Sequence, residues 1–240
     1  TFVVIIGVKI SNKKADSDHP YGHERIECVS AIILSGMLFI VGALIGINGI
    51  KNVTNSSNLV MPGVLALIAS IISIISKEAM YQYTIRVSKK INSAALKADA
   101  WHHRSDALSS IGSFIGILGS RLGFKMFDPL ASVIISLCII KVSIDIFKDA
   151  IDKMVDKSCD KEVIDKVISV IEKNESVKNI DDIKTRQFGN KAYVDVEISV
   201  DENLLLKDAH KVAEEIHDSV ENEINIVKHC MVHVNPYEVK

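Results

Sequence analysis

Four apolar stretches dominate the first two thirds of the chain, at residues 26–50, 59–83, 94–122 and 129–147. Each is close to the roughly 20 residues that a helix needs to cross the hydrocarbon core of a bilayer. A uniformly soluble chain spreads its charge, whereas this one concentrates charge near its ends and after about Lys148. The pattern predicts a membrane-embedded helical bundle followed by a soluble piece, the first spanning about residues 1–152 and the second about 153–240. A shorter apolar run at 1–10 is too brief to span and carries no charged leader or cleavage signature, so it reads as the back half of a helix whose front precedes Thr1.

The loops set an orientation. Lys9, Lys13, Lys14 and Arg25 precede the first full span, and Arg86, Lys89, Lys90 and Lys97 follow the second. The two remaining loops carry only Lys51, and Arg121 with Lys125. The positive-inside rule places the two basic loops and the tail in the cytoplasm. Four cysteines are widely separated and form no CxxC pair, which reads as reduced thiols. A formal net charge of −2 and the lack of a basic patch with interleaved aromatics give no reason to expect nucleic acid.

Past about Asp156 the grammar becomes that of a small soluble domain. Residues 161–172 are helical in pattern, with Val163, Ile164, Val167, Ile168 and Ile171 on one side. Residues 177–187, 191–200 and 226–234 show β-branched alternation, Phe188-Gly189-Asn190 reads as a hairpin turn, and 204–221 forms a second amphipathic helix. An αββαβ order predicts an α+β domain, a three-stranded sheet with both helices on one face.

Three groups of side chains have metal-ligand chemistry. In the third span His102 and Asp106 are four residues apart, so an imidazole and a carboxylate leave one helix face and can share a divalent cation. Ionisable groups at membrane depth are costly and usually mark a pathway, although the pair also suits plain hydrogen bonding between helices. In the loop before the first full span, Asp16, His19 and His23 can close around a cation on a turn bent by Pro20 and Gly22; a polar turn capping the next helix fits as well. In the tail, His210 and His217 lie one heptad apart on a helix and His229 and His233 share a strand face, with Asp181, Asp182, Asp195 and Glu197 on neighbouring strands. Spacing alone does not show which of these meet.

The helix around ADAWHHRSDALSS, the loop ADSDHPYGHERIE ahead of the next span, and the αββαβ tail, in that order, resemble the cation diffusion facilitator family of divalent-metal/proton antiporters. The resemblance implies a bundle of six spanning helices, here the last four plus part of the second. It also implies a cytosolic ferredoxin-like or metallochaperone-like domain, and a homodimer in a prokaryotic inner or plasma membrane. It assigns His102 and Asp106 to half of the transport site, whose other half, an acidic pair, would precede Thr1. Asp16, His19 and His23 match the family's loop site, and Arg25 with Asp152 matches an ion pair linking protomers. In the tail His210 and His233 match positions that bind regulatory metal; Asp181 and Glu197 stand where relatives often have His, and Asn235 replaces a frequent acid.

One imidazole with carboxylates suits Zn²⁺, or its softer neighbour Cd²⁺, and binding requires an unprotonated imidazole. An all-oxygen site would favour Mn²⁺, and Fe²⁺ accepts both ligand types. The expectation is therefore Zn²⁺ efflux in exchange for protons by alternating access, with Fe²⁺, Cd²⁺ and Mn²⁺ as alternative cargoes and Zn²⁺ also a regulatory ion. Small residues Gly112, Gly116 and Gly119 on the same helix permit the close packing of a rocking bundle, or ordinary tight packing. No HExxH occurs, which argues against a metalloprotease-type enzyme. A membrane-anchored metal sensor or scaffold fits the tail but does not explain His102 and Asp106.

Overall fold

The computed structural model describes residues 2–54, 64–121 and 127–237, in two compact units, Thr1–Ile151 and Asp152–Lys240. The expected start of the second apolar segment at Leu59 and end of the third at Leu122 lie outside the described residues.

In the first unit, α1 (Phe2–Ser11) leads through a loop to four long helices: α2 (Ile26–Thr54), α3 (Val64–Ile91), α4 (Ala94–Arg121) and α5 (Phe127–Met154), the last of which runs three residues past the unit's end at Ile151. Helices of 28 or 29 residues reach about 42 Å at 1.5 Å per residue, enough to clear a hydrocarbon core of about 30 Å. Among the described residues α2 and α5 are long and apolar enough to cross a membrane by composition alone, with mean hydropathies of 2.6 and 2.2. Charged side chains inside α3 and α4, such as Lys77, Glu78, Asp99 and Asp106, dilute their apolar character.

Local chemistry places the helix ends. Asn92 adopts a left-handed φ of 53° and the Ser93 amide donates to Ser88 O at 3.0 Å, a Schellman stop for α3. Ser93 then starts α4, its hydroxyl oxygen accepting from the Leu96 amide at 3.1 Å. The same stop ends α5, where Asp156 has φ 61° and the Lys157 amide donates to Asp152 O at 3.0 Å.

Small and polar residues fill the helical interior. Val4, Leu34, Leu38, Ala95, Ala98, Ile139 and Ile146 form its buried apolar cluster, drawn from α1, α2, α4 and α5. A Cβ on Gly46 would sit 2.7 Å from Ser136 Oγ, and one on Gly7 only 2.0 Å from Ser30 Oγ, so glycine sets how closely α2 approaches α5 and α1. Buried Ser35, Ser136 and Ser143 each donate to a carbonyl three residues back in their own helix, at 2.7–2.8 Å, which satisfies a hydroxyl where water is absent. The close-packing glycines thus lie on α1 and α2 as well as α4, where Gly112 faces Ile135.

The second unit runs α6 (Lys161–Ile171), β1 (Asn179–Phe188), β2 (Lys191–Asp201), α7 (Leu206–Glu223) and β3 (Val227–Tyr237). The sheet order is β1-β2-β3, with β1 antiparallel and β3 parallel to the central β2. Alternate β2 residues Val194, Val196, Ile198 and Val200 are buried with Val167 and Ile171 of α6 and Val212, Ile216 and Val220 of α7 in one core. Gly189, at φ 63°, makes the tight β1–β2 turn that its sequence predicts. The expected αββαβ order is present, each element within a few residues of its predicted span.

Candidate metal sites

His102 and Asp106 stand one turn apart on α4, both half-buried. Asp106 already faces a cation: Lys77 Nζ of α3 donates to its Oδ2 at 3.0 Å. This is the centre of a polar ladder between α3 and α4. Glu78 pairs with Arg104, whose guanidinium lies 4.7 Å from the Tyr81 ring centroid. Ser73 and Ser110 hydroxyls lie 2.9 Å apart, and the Tyr81 and Trp101 rings meet edge to face at 5.7 Å. One turn before the pair, buried His103 Nε2 lies 3.6 Å from Asp99 Oδ2. On the Trp101 and Ser105 side of α4 a cavity of about 310 Å³ opens toward Leu38, Cys138 and Asp145.

The loop group closes as its spacing suggests. Asp16 is the hub: its Oδ1 accepts the His19 amide at 2.9 Å and lies 3.3 Å from His19 Nδ1, while its Oδ2 is 3.5 Å from His23 Nε2. Gly22, with φ 96°, makes the reversal that brings the two imidazoles to 4.4 Å between centroids. Lys13 donates to Asp16 at 3.0 Å, and with the His19 amide holds that carboxyl well below the usual carboxylate range. His23 is buried and its Nδ1 has no hydrogen-bond partner among the described residues, whereas His19 is exposed. Three ligand atoms within 4.8 Å of one another suit a divalent cation.

In the tail, the strand register sets Glu197 beside Asp182 on β1 and His233 on β3. Asp181 sits at a β-bulge with its carboxylate taken by Ser199 Oγ at 2.6 Å, Asn235 Nδ2 at 3.0 Å and Asn179 Nδ2 at 2.8 Å. These bonds, the Ser199 hydroxyl first, lower its pKa. His210 is exposed beside Glu214, its Nε2 3.4 Å from Oε1. Within one chain, no three of His210, His233, Asp181 and Glu197 bring ligand atoms within 4.8 Å of one another. The tail imidazoles that do converge are His217 and His229, on Glu221. Arg25 and Asp152 belong to different units; Asp152 Oδ2 lies 3.2 Å from Lys157 Nζ.

Residues 1–155 match the family model described as the cation efflux transmembrane domain, and residues 159–237 match that of the cation efflux protein cytoplasmic domain. The chain belongs to the cation efflux, or cation diffusion facilitator, family. It is 35% identical to the manganese efflux system protein MneP of Bacillus subtilis (strain 168), over 99% of this chain and 82% of that protein. It is 31% identical to the magnetosome protein MamB of Magnetospira sp. (strain QH-2), over 100% and 81%. The cadmium form of a solved MamM CTD variant covers 32% of this chain and 98% of its own at 19% identity and a TM-score of 0.32.

As a cation efflux protein the chain is a membrane protein of a transporter family, not an enzyme family. Its transmembrane domain takes in α1 to α5 and its cytoplasmic domain α6 to β3. In this frame, Lys77 and Glu78 are the membrane-domain residues that sequence reasoning passed over. Two adjacent charges inside an apolar segment were the available signal, since such residues need a partner at depth.

Proposed function

We propose that the chain exports a first-row divalent cation across the membrane in exchange for protons, by alternating access, as a homodimer. The observation that carries the reading is His102 and Asp106 on one face of α4, inside a cation efflux transmembrane domain, with the Asp106 carboxylate neutralised by Lys77. The substrate ion brings its own positive charge to Asp106, so Lys77 yields that oxygen as the ion enters. Protons compete for the same imidazole nitrogen and carboxylate oxygen, and opening toward a more acidic side favours release.

The cargo follows from the ligands. An imidazole with carboxylate oxygens favours Zn²⁺. A second reading, Mn²⁺, is favoured by 35% identity to a protein named for manganese efflux, and Fe²⁺ shares the oxygen and imidazole ligand types. Asp16, His19 and His23 form the loop site of this reading, and the Arg25–Asp152 pair links protomers near the membrane exit. His210, His233, Asp181 and Glu197 are the candidates for cytosolic ions that tighten the dimer. The cytoplasmic domain faces the cytosol of a prokaryotic cell.

Uptake of Zn²⁺, Mn²⁺ and Fe²⁺ into proteoliposomes under an imposed proton gradient tests the reading. Gradient-coupled flux, abolished by His102→Ala and by Asp106→Asn, is the expected outcome, and the fastest ion names the cargo. Flux that persists unchanged in both variants makes the pair structural and removes the proposal.

A further inference from the structure

His217 and Glu221 lie one turn apart near the end of α7, and His229 is the third residue of β3, just past the connecting turn. Their side chains converge on a single oxygen. Glu221 Oε1 is 3.3 Å from His217 Nε2 and 3.1 Å from His229 Nδ1, and it accepts the Cys230 amide at 3.0 Å. The imidazoles stand edge to face with centroids 5.3 Å apart. The group opens onto a cavity of about 570 Å³ lined by His210, Ala213, Glu214, His217, Asp218 and His229, so an ion has a route in.

The hydrogen bonding of His217 decides what the group is built for. Its Nδ1 lies 2.6 Å from the Cys230 carbonyl oxygen. A carbonyl only accepts, so Nδ1 carries the proton and donates. With one proton on the ring, Nε2 presents a lone pair, and it points at a carboxylate oxygen that offers only lone pairs. Two acceptors at 3.3 Å repel unless a proton or a metal ion lies between them. A ring that gives one N–H to a backbone carbonyl has the arrangement that orients metal-ligating histidines, with the other nitrogen left to the metal.

The distances fit an ion as well. Bonds of about 2.0–2.1 Å in a tetrahedral site put neighbouring ligand atoms about 3.3 Å apart. The two edges through Glu221, at 3.3 and 3.1 Å, already have that length, and all three ligand atoms lie within 4.8 Å of one another. Cys230 is not one of the converging ligands: its side chain is fully buried and its Sγ is not among the atoms that cluster within 4.8 Å. Its backbone amide and carbonyl serve instead to hold Glu221 and His217.

We propose that His217, Glu221 and His229 form a divalent-cation site for a borderline ion of the Zn²⁺ or Co²⁺ kind, with water completing the coordination. The bound ion pins the last turns of α7 to the start of β3. The three ligands lie within one chain and include neither His210 nor His233, so the site needs no second protomer. It also stands independently of the transport reading.

Co²⁺ reports the site through its visible ligand-field absorption. The full chain in detergent is titrated with Co²⁺ in a background carrying His19→Ala, His23→Ala, Asp106→Asn, His210→Ala and His233→Ala, which removes the loop and intramembrane groups and the other two tail imidazoles. The expected result is one retained equivalent with a tetrahedral-type spectrum. That equivalent is lost on adding either His217→Ala or His229→Ala. Absence of the equivalent in the background, or its survival in both His217→Ala and His229→Ala, overturns the proposal. Should the added alanine variants misfold, Co²⁺-edge X-ray absorption on the background protein decides: two imidazoles in the coordination sphere support the site, and one or none overturns it.

Discussion

Ile72, Ile75 and Leu137 in the helical unit expose 61%, 65% and 63% of their surface, while serines, glycines and ion pairs occupy the spaces between helices. In the cytoplasmic unit Ile171, Val194 and Ile216 are almost wholly buried, and polar residues such as Lys184, Asp195 and His210 are exposed. The inversion follows from the solvent each unit meets. Apolar side chains gain nothing by leaving lipid for a protein interior of similar polarity, so close backbone approach and polar pairing hold the membrane helices. In water, removing apolar area stabilises by about 25 cal/mol per Å², and the core carries the fold.

The same chemical change should therefore have opposite weight in the two units. Ile216→Ala should destabilise the cytoplasmic unit by about 2–5 kcal/mol, through lost burial and the cavity left behind. Ile75→Ala on α3 should stay within about 0.5 kcal/mol. Denaturant unfolding of the full chain, followed in the β-sheet and helical circular dichroism signals, separates the two. Equal losses would break the comparison.

The reverse test overfills the membrane interior. Gly46→Val sets a side chain where even a Cβ comes 2.7 Å from Ser136 Oγ and 3.2 Å from its Cβ, so α2 and α5 must separate. The expected cost is about 1–3 kcal/mol of stability, seen as earlier thermal aggregation in detergent. A valine at Gly36, where a Cβ meets nothing within 4 Å, is the control and should melt like the wild type.

How much of this was legible in the sequence depended on whether a feature lay along one element or between two. Runs of apolar residues are long in a spanning helix, so α2 and α5 stood out, and the β-branched alternation of 191–200 marked β2. The His102 and Asp106 pair was legible because four residues is one helical turn. The Asp16, His19 and His23 group was legible because a short turn rich in glycine and proline leaves few other shapes. Lys77 meeting Asp106 was not legible, since the two lie 29 residues apart on different helices. In the tail, heptad spacing paired His210 with His217, yet His210 stays exposed beside Glu214 while His217 reaches β3. The carboxylate that gathers His217 and His229, Glu221, was one acid among many on a charged helix, with no local mark to separate it.

The α3–α4 ladder offers a finer test of the membrane side. Glu78 and Arg104 keep about a third of their side-chain surface exposed, at 36% and 34%, so breaking the pair costs less than a buried one would. Glu78→Gln should destabilise by about 1 kcal/mol, below the 3–5 kcal/mol typical when a buried pair loses one partner. A double-mutant cycle with Arg104→Gln measures the coupling, and a value near zero would remove the pair from the account. Lys77→Met acts differently, because it strips the counter-cation from Asp106 without touching the metal-ligand atoms. The expected result is tighter binding of the divalent ion at the intramembrane site, roughly tenfold for about 1.4 kcal/mol of removed competition. Unchanged affinity would mean that the ammonium does not compete with the substrate ion.

The smallest expected effect lies on the cytoplasmic side, where a charge rather than the core is at issue. The folded pKa of Asp181 is lowered by the Ser199 hydroxyl first and then by the Asn235 and Asn179 amides. A carboxylate with a depressed folded pKa adds stability that is fully present above its unfolded value of about 3.9, and that stability is lost as pH falls through the lower folded value. Asn235→Ala removes one of the three donors, so the folded pKa moves back toward the unfolded one. The variant should melt slightly earlier than wild type at neutral pH, and the gap should close as Asp181 is protonated in both proteins. A gap that stays constant down to strongly acidic pH would assign the loss at Asn235 to packing rather than to the carboxylate it serves.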